Sequence, residues 1–203
     1  MRNANLIIIF VLLISCKPVD RGLFEFNPST LVLDEIMLAD IVDDMEYIPL
    51  ESKYPLGLIY DKIVPVNNSI YLSALRVGVL VFNMEGKLQR KIGSIGRGPG
   101  EYATCYSFAI DENNETIYIL DIGNIVKVYS RTGRFLRSFQ LNEYGAMIKT
   151  IEFFDARLFV SYGLESVDSK YEWIAVDTSG NVIKKKERTV PGFITGYNGL
   201  GYS

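Results

Sequence analysis

Gly86, Gly133 and Gly180 stand 47 residues apart, and each closes a segment that opens on a polar residue: Asn83-Met84-Glu85-Gly86, Ser130-Arg131-Thr132-Gly133 and Asp177-Thr178-Ser179-Gly180. The flanks are also in register, with Val81-Phe82, Val128-Tyr129 and Ala175-Val176 ahead, and Lys87-Leu88, Arg134-Phe135 and Asn181-Val182 behind. A fixed period of this length means that one supersecondary unit is stacked several times, each copy burying a face it cannot bury alone. Before anything else, the chain must therefore fold as an array.

Within each unit the glycine marks a tight turn between two runs in which β-branched and aromatic residues alternate with polar ones, the pattern of a hairpin. Two more short strands precede it. The best unit reads as strands at 107–111, 116–121, 125–130 and 135–140, with turns at Glu112-Asn113-Asn114-Glu115, Gly123-Asn124 and Gly133. The unit before it reads as 62–66, 70–73, 79–83 and 88–92, and the one after as 150–154, 158–161, 173–176 and 182–185. Four short antiparallel strands per repeat of roughly 40–50 residues is the pattern of β-propeller blades set radially around a channel. A solenoid or a sandwich also has many short strands, but neither demands this period with a four-strand unit. The expectation is an all-β chain carrying about three blades, at about 57–93, 102–140 and 148–188, followed by the start of a fourth.

The amino terminus makes a separate statement. After Met1 and Arg2, residues 6–14 run Leu-Ile-Ile-Ile-Phe-Val-Leu-Leu-Ile and lead to Ser15 and Cys16, which is the layout of a secretory signal. Nine residues rise only about 14 Å as a helix, less than half of a hydrocarbon core of about 30 Å. Leu13-Ile14-Ser15-Cys16 resembles a bacterial lipobox, in which a small residue precedes the cysteine whose thiol takes a diacylglycerol. That resemblance implies a signal peptide over 1–15, a lipidated terminus and linker over 16–40, and a propeller region over 41–203. The alternative is an ordinary cleaved signal with an incidental cysteine. Lys17, rather than an aspartate, after the cysteine points to the outer membrane.

Signal removal takes Arg2 with it, leaving 20 basic against 24 acidic side chains. That balance lacks the basic patch nucleic acid requires. Cys105 is then the one thiol besides the lipidated one, so no disulfide forms within a chain, and it reads as a small apolar residue. The sequence contains no histidine, which removes the commonest general base and the commonest nitrogen ligand for metals.

A second resemblance rests on Ile92-Gly93-Ser94-Ile95-Gly96-Arg97-Gly98-Pro99-Gly100-Glu101-Tyr102, with Phe108-Ala109-Ile110-Asp111, Ile117-Tyr118-Ile119-Leu120-Asp121 and Lys127-Val128-Tyr129. These segments resemble NHL-type repeats, and more narrowly the six-bladed β-propeller lipoproteins of bacteria. Met45-Glu46-Tyr47-Ile48-Pro49-Leu50-Glu51 is similar to the entry strand of that family, which completes the last blade. A six-bladed ring at this period needs about 280 residues of repeats. The resemblance therefore implies a C-terminally truncated member, with 191–203 as the cut beginning of a fourth blade. Two half-rings closing on each other is the sharper alternative.

Blade geometry puts Ser94 to Tyr102 on the same face as Asp121 to Asn124, and this face is the expected binding surface. Its candidates are Arg97, Gly98, Gly100, Glu101, Tyr102, Asp121 and Asn124. Arg97 and Glu101 have the chemistry to clasp a carboxylate or hydroxyl, Tyr102 to stack on a ring, and Asp121 to contact calcium. The competing reading is structural: the glycines turn the chain, the charged pair ties blades together, and Asp121 is a solvated turn residue. A phosphate loop is rejected, because no helix or Gly-Lys-Ser/Thr follows and Pro99 lacks an amide. The carboxylates Asp43-Asp44 and Asp111-Glu112 read as turn residues, and Lys184-Lys185-Lys186-Glu187-Arg188 as a charged sheet edge.

Two function classes follow. One is a non-catalytic binding or scaffolding module, with no cofactor or metal, held to the bilayer through acylated Cys16 and facing an unknown glycan, peptide or protein. The other, implied by six-bladed relatives, is a truncated lactonase- or lyase-type enzyme; a fragment without function of its own is a third. The anchor is tested directly: Cys16→Ala is expected to abolish incorporation of radiolabelled palmitate and to move the chain from the membrane pellet to the soluble fraction. Undiminished labelling would remove the anchor.

Overall fold

The computed structural model describes residues 37, 40–141, 147–162 and 170–189. The chain divides into two compact units, Met1–Glu46 and Tyr47–Ser203. Of the first, the described part is a single turn in which the Met37 amide donates to Asp40 Oδ2 at 2.9 Å and the Asp40 amide to the Met37 carbonyl at 2.9 Å. Asp43 and Asp44 are exposed there. Cys16, the signal segment and residues 191–203 lie outside the described residues.

The second unit holds three sheets of four antiparallel strands, each in simple sequential order. The first blade is β1 Ile59–Val66, β2 Ser69–Ala74, β3 Gly78–Asn83 and β4 Leu88–Ile92. The second is β5 Ser107–Asp111, β6 Thr116–Asp121, β7 Ile125–Ser130 and β8 Phe135–Gln140. The third is β9 Ile148–Phe154, β10 Arg157–Tyr162, β11 Tyr171–Val176 and β12 Val182–Glu187. The all-β, bladed architecture read from the period is the architecture observed.

The repeat has a local physical cause. Gly86, Gly133 and Gly180 have φ of +76°, +89° and +93°, a region glycine enters without penalty. The amide of each donates back to the carbonyl of the polar residue three before it, at 2.9–3.1 Å. The polar side chain then accepts the amide four residues on: Asn83 Oδ1 from Lys87 at 2.8 Å, Ser130 Oγ from Arg134 at 3.2 Å, and Asp177 Oδ1 from Asn181 at 2.9 Å. The ladder shifts register beside each turn, at Val81/Phe82, Val128/Tyr129 and Ala175/Val176, as expected of a hairpin whose left-handed glycine makes a bulge. What repeats every 47 residues is thus the outer hairpin of a blade.

Among the described residues no strand pairing joins one blade to the next, so side chains hold the fan together. Tyr71, Val79, Val81 and Ile92 of blade 1 pack against Tyr102, Phe108, Ile117, Ile119 and Tyr129. Tyr118, Leu120, Val126 and Val128 of blade 2 pack against Ile151, Leu158, Val160 and Ile174 of blade 3. Removing each such side chain from water contributes about 1.5–3 kcal/mol. On the innermost strands a polar bridge crosses all three blades: Ser107 Oγ donates to Asp61 Oδ2 at 2.9 Å and accepts the Ile151 amide at 3.1 Å.

The strand expected over 45–51 does not form. Residues 48–56 run without a ladder and bend at Lys53-Tyr54, and Ile48, Leu50, Tyr54 and Leu56 cover the rear face of blade 1, on Ile70, Leu72, Leu80 and Phe82. Among the described residues spot bonds fix this segment: the Glu51 amide donates to the Gly86 carbonyl at 2.8 Å, and Glu51 Oε2 accepts the Leu88 amide at 3.0 Å. With no further sheet beside it to complete, its backbone has no strand partner among the described residues. Its place is nevertheless informative. The outer-turn glycines press on the strand before them, Gly133 on Lys91 of β4 and Gly180 on Phe139 of β8, and Gly86 presses in the same way on Pro49. The segment thus sits in the slot of a preceding blade's outer strand.

Ser107→Ala is expected to leave the buried Ile151 amide without its acceptor and Asp61 short of a donor, at about 1–3 kcal/mol. At about 2–4 °C per kcal/mol for a chain of this size, thermal unfolding followed by circular dichroism should show a fall of several degrees.

Candidate functional site

The segment from Gly93 to Tyr102 leaves β4 and returns to β5, and the structure turns most of its chemistry inward. Tyr102 is fully buried. Its hydroxyl donates to the Ile92 carbonyl at 2.8 Å and accepts the Val79 amide at 3.1 Å, so the blade 1–blade 2 connector is latched onto blade 1. Burial pushes its phenol pKa well up, so it stays protonated and donating. Its ring meets Tyr129 edge-on with centroids 5.9 Å apart, and Tyr129 Oη donates to the Gly100 carbonyl at 3.0 Å. Gly78 and Gly93 lie against these rings where a Cβ would collide, at 2.2 Å from Tyr102 Oη and 2.7 Å from the Tyr129 ring.

Glu101 folds back on its own loop, its Oε2 accepting the Gly98 amide at 2.8 Å and its amide donating to the Gly98 carbonyl at 3.0 Å. A Cβ at Gly96 would fall 2.0 Å from that carboxylate, while Gly100 needs its φ of +75°. Asp121 is buried and occupied: Oδ1 accepts the amides of Ala103, Thr104 and Ile122 at 2.8–3.0 Å, and Oδ2 lies 3.6 Å from Lys127 Nζ. Lys127 also donates to the Glu101 carbonyl. Asp121 is therefore neither a solvated turn residue nor an open carboxylate for calcium; among the described residues no group of three or more metal-binding side chains is assembled. Asn124, at φ +57°, accepts the Ile148 amide on Oδ1 at 3.2 Å and holds the next connector. Arg97 alone of the seven candidates points an uncommitted charge to solvent. The structure brings these residues to one face, as blade geometry implies, but most serve as fastenings within the fold.

Cys105 is buried beside Ser107, and burial pushes its thiol up to about 12. It is protonated and unreactive at neutral pH.

A different set of residues lines an open cleft of about 150 Å³ on the innermost strands. Val64 and Val66 of β1, Phe108, Ala109 and Ile110 of β5, and Phe153 of β9 supply an apolar floor, with Lys62, Glu112 and Glu152 at the rim. Lys62 Nζ donates to the Ile151 carbonyl at 3.0 Å and to Glu152, and it lies 5.7 Å from the Phe108 ring centroid. Phe153 is fixed by stacking on Tyr118, with centroids 5.5 Å apart. Sequence reasoning does not single out Lys62, Phe108 or Glu152. Their signal is projection of the repeat onto the first strand of each unit, since they lie close to one period apart.

The fastening role of the connector is measurable. Tyr102→Phe keeps the ring but strips two buried backbone groups of their partner, for an expected loss of about 1–3 kcal/mol in urea unfolding. Arg97→Ala should stay within about 0.5 kcal/mol of the native chain.

Among solved structures the chain is similar to a protein of Bacteroides fragilis described as exported, at 23% identity and a TM-score of 0.59, over 72% of this chain and 43% of that one. It is also similar to U3-55K, at 14% identity and 0.51 over 66% and 40%, and to the WD40 repeats of RRP9, at 12% and 0.50 over 66% and 39%. WD40 repeats are propeller blades, so these likenesses agree with the bladed fold, and this chain spans about two-fifths of the length of each. No curated protein matches. A family model covers residues 24–199, and the chain belongs to that family, described as Domain of unknown function (DUF4934).

Proposed function

We propose that the chain is a non-catalytic binding module of the bacterial cell envelope, tethered through acylated Cys16 at the outer membrane and taking a glycan, peptide or protein ligand in the cleft of its innermost strands. The observation that carries the choice of site is the contrast between two surfaces. The glycine-rich connector spends Tyr102, Glu101 and Asp121 on internal bonds, whereas the cleft keeps an apolar floor and a charged rim open to solvent. A concave surface that brings apolar side chains and convergent polar groups together is a usual form of ligand site, and this cleft exposes both. Export is supported by the signal layout and by likeness to a protein described as exported; tethering is supported by the lipobox resemblance.

The channel position also suits binding. Loops and wall residues of a radial array can differ from blade to blade without disturbing the hairpins that build each blade, so recognition residues are free to vary on a constant frame.

Filling the cleft tests the reading. Val64→Trp places an indole over the floor while leaving the outer hairpins untouched. On glycan and peptide arrays it is expected to lose every ligand that the native chain retains, with Arg97→Ala binding as the native chain does. Ligands held equally by native chain and Val64→Trp, and lost with Arg97→Ala, would move the site to the connector face.

A further inference from the structure

Resting on the reading of the cleft as the ligand site, we infer that the cleft selects a positively charged group on an apolar stem: an alkylammonium or guanidinium, as a lysine or arginine side chain carries. Lys62 displays the chemistry. Its ammonium is held by three things at once, the Ile151 carbonyl at 3.0 Å, the Glu152 carboxylate and the face of Phe108, 5.7 Å from the ring centroid. A carbonyl, a carboxylate and an aromatic face around one apolar trough is a cation-holding set.

The charges around the trough are not balanced by that lysine. Asp61, Glu112 and Glu152 stand against Lys62 alone among the ionisable groups on the trough or touching its lysine, and Arg131, which lines the adjoining hollow with Glu112, is held by Glu115 at 3.4 Å and the Asn67 carbonyl at 3.4 Å. Asp61 is itself committed, accepting Ser107 Oγ at 2.9 Å and the Phe108 amide at 3.2 Å, and Lys62 is spent on Ile151 and Glu152. Glu112, exposed at the other end of the floor from Lys62, carries a carboxylate with no ion pair. Between the two ends lie Val64, Val66, Ala109 and Ile110, a surface that suits methylenes. A second cation entering from the Glu112 end would lay its stem on this floor and its charge on Glu112, in the way Lys62 lies at the opposite end. An anion would meet the excess carboxylates, and a neutral polar ligand would leave Glu112 unmatched.

Isothermal titration calorimetry on the full chain in detergent, at low salt, tests this with three probes: the peptide Gly-Lys-Gly-Lys-Gly, the same peptide acetylated on both lysines, and spermidine. The lysine peptide is expected to bind, with at least a tenfold loss on acetylation, a similar loss in Glu112→Gln, and native affinity in Arg97→Ala. Glu112 is exposed, so its variant should fold, which an unchanged thermal melt verifies. Displacement of the peptide by spermidine shows that a free polyamine carries the recognised chemistry; failure to displace shows that the cation must be borne on a peptide. Equal binding of the acetylated peptide, native affinity in Glu112→Gln, or no binding of any probe overturns the inference. A neutral array ligand that Val64→Trp abolishes, together with no lysine-peptide binding, would leave the binding-module reading standing and remove this inference alone.

Discussion

Ser107 sits where three separate sheets converge. Its hydroxyl donates to Asp61 of blade 1 and accepts the amide of Ile151 of blade 3 while it stands on the first strand of blade 2. Because no ladder joins the blades, the apolar interfaces alone would let each sheet slide or splay on the next: dispersion and burial are not directional. A buried hydroxyl between a carboxylate and an amide is directional, and breaking it strands polar groups away from water. The radial spacing of the innermost strands, and with it the width of the cleft they enclose, depends on this bridge and on the Lys62 contacts beside it.

The same logic explains why the glycine-rich connector is so densely bonded. A connector that crosses from the outermost strand of one blade to the innermost strand of the next has only a single bridge of its own among the described residues, with the Gly96 amide donating to the Tyr102 carbonyl and the Tyr102 amide to the Ser94 carbonyl, and its other buried amides must be paired as well. Glu101 accepts the Gly98 amide and Asp121 the amides of Ala103 and Thr104, Tyr102 ties the connector to the Val79 amide of β3, and Gly78, Gly93 and Gly96 clear the space in which they fit. Residue types that read as a clasp for a ligand are here a clasp for the chain itself. Arg97, which satisfies nothing, is left outside.

Much of the fold was legible because its cause is local. The left-handed glycine, its polar partner three residues earlier and the bulge that follows are all contained within a few residues, so the hairpins of blade 2 fall at the bounds the sequence implies, from Ser107–Asp111 through Phe135–Gln140. Strand ends in blades 1 and 3 extend one to three residues further, as at Ile59–Val66 and Ile148–Phe154, because pairing with the neighbour continues past the alternating pattern. The entry segment, similar to a family's closing strand, has the strand chemistry of Tyr47, Ile48 and Leu50 but no partner edge among the described residues, and it forms no strand. The cleft was illegible for a different reason. Lys62 and Glu152 are 90 residues apart and Ser107 is 46 from Asp61, and only radial stacking brings them together.

The entry segment also bears on how such a chain comes into being. Within each blade every strand pairs with its sequence neighbour, so each blade closes through short loops whose entropy cost is small, and folding can proceed in the order in which the chain emerges. The first blade to form has an apolar rear face, and an uncovered sheet face on a nascent chain is a place for other chains to stick. Residues 48–56 precede that blade in the chain and cover this face with Ile48, Leu50, Tyr54 and Leu56, so the apolar cover is already made when the blade it protects is complete.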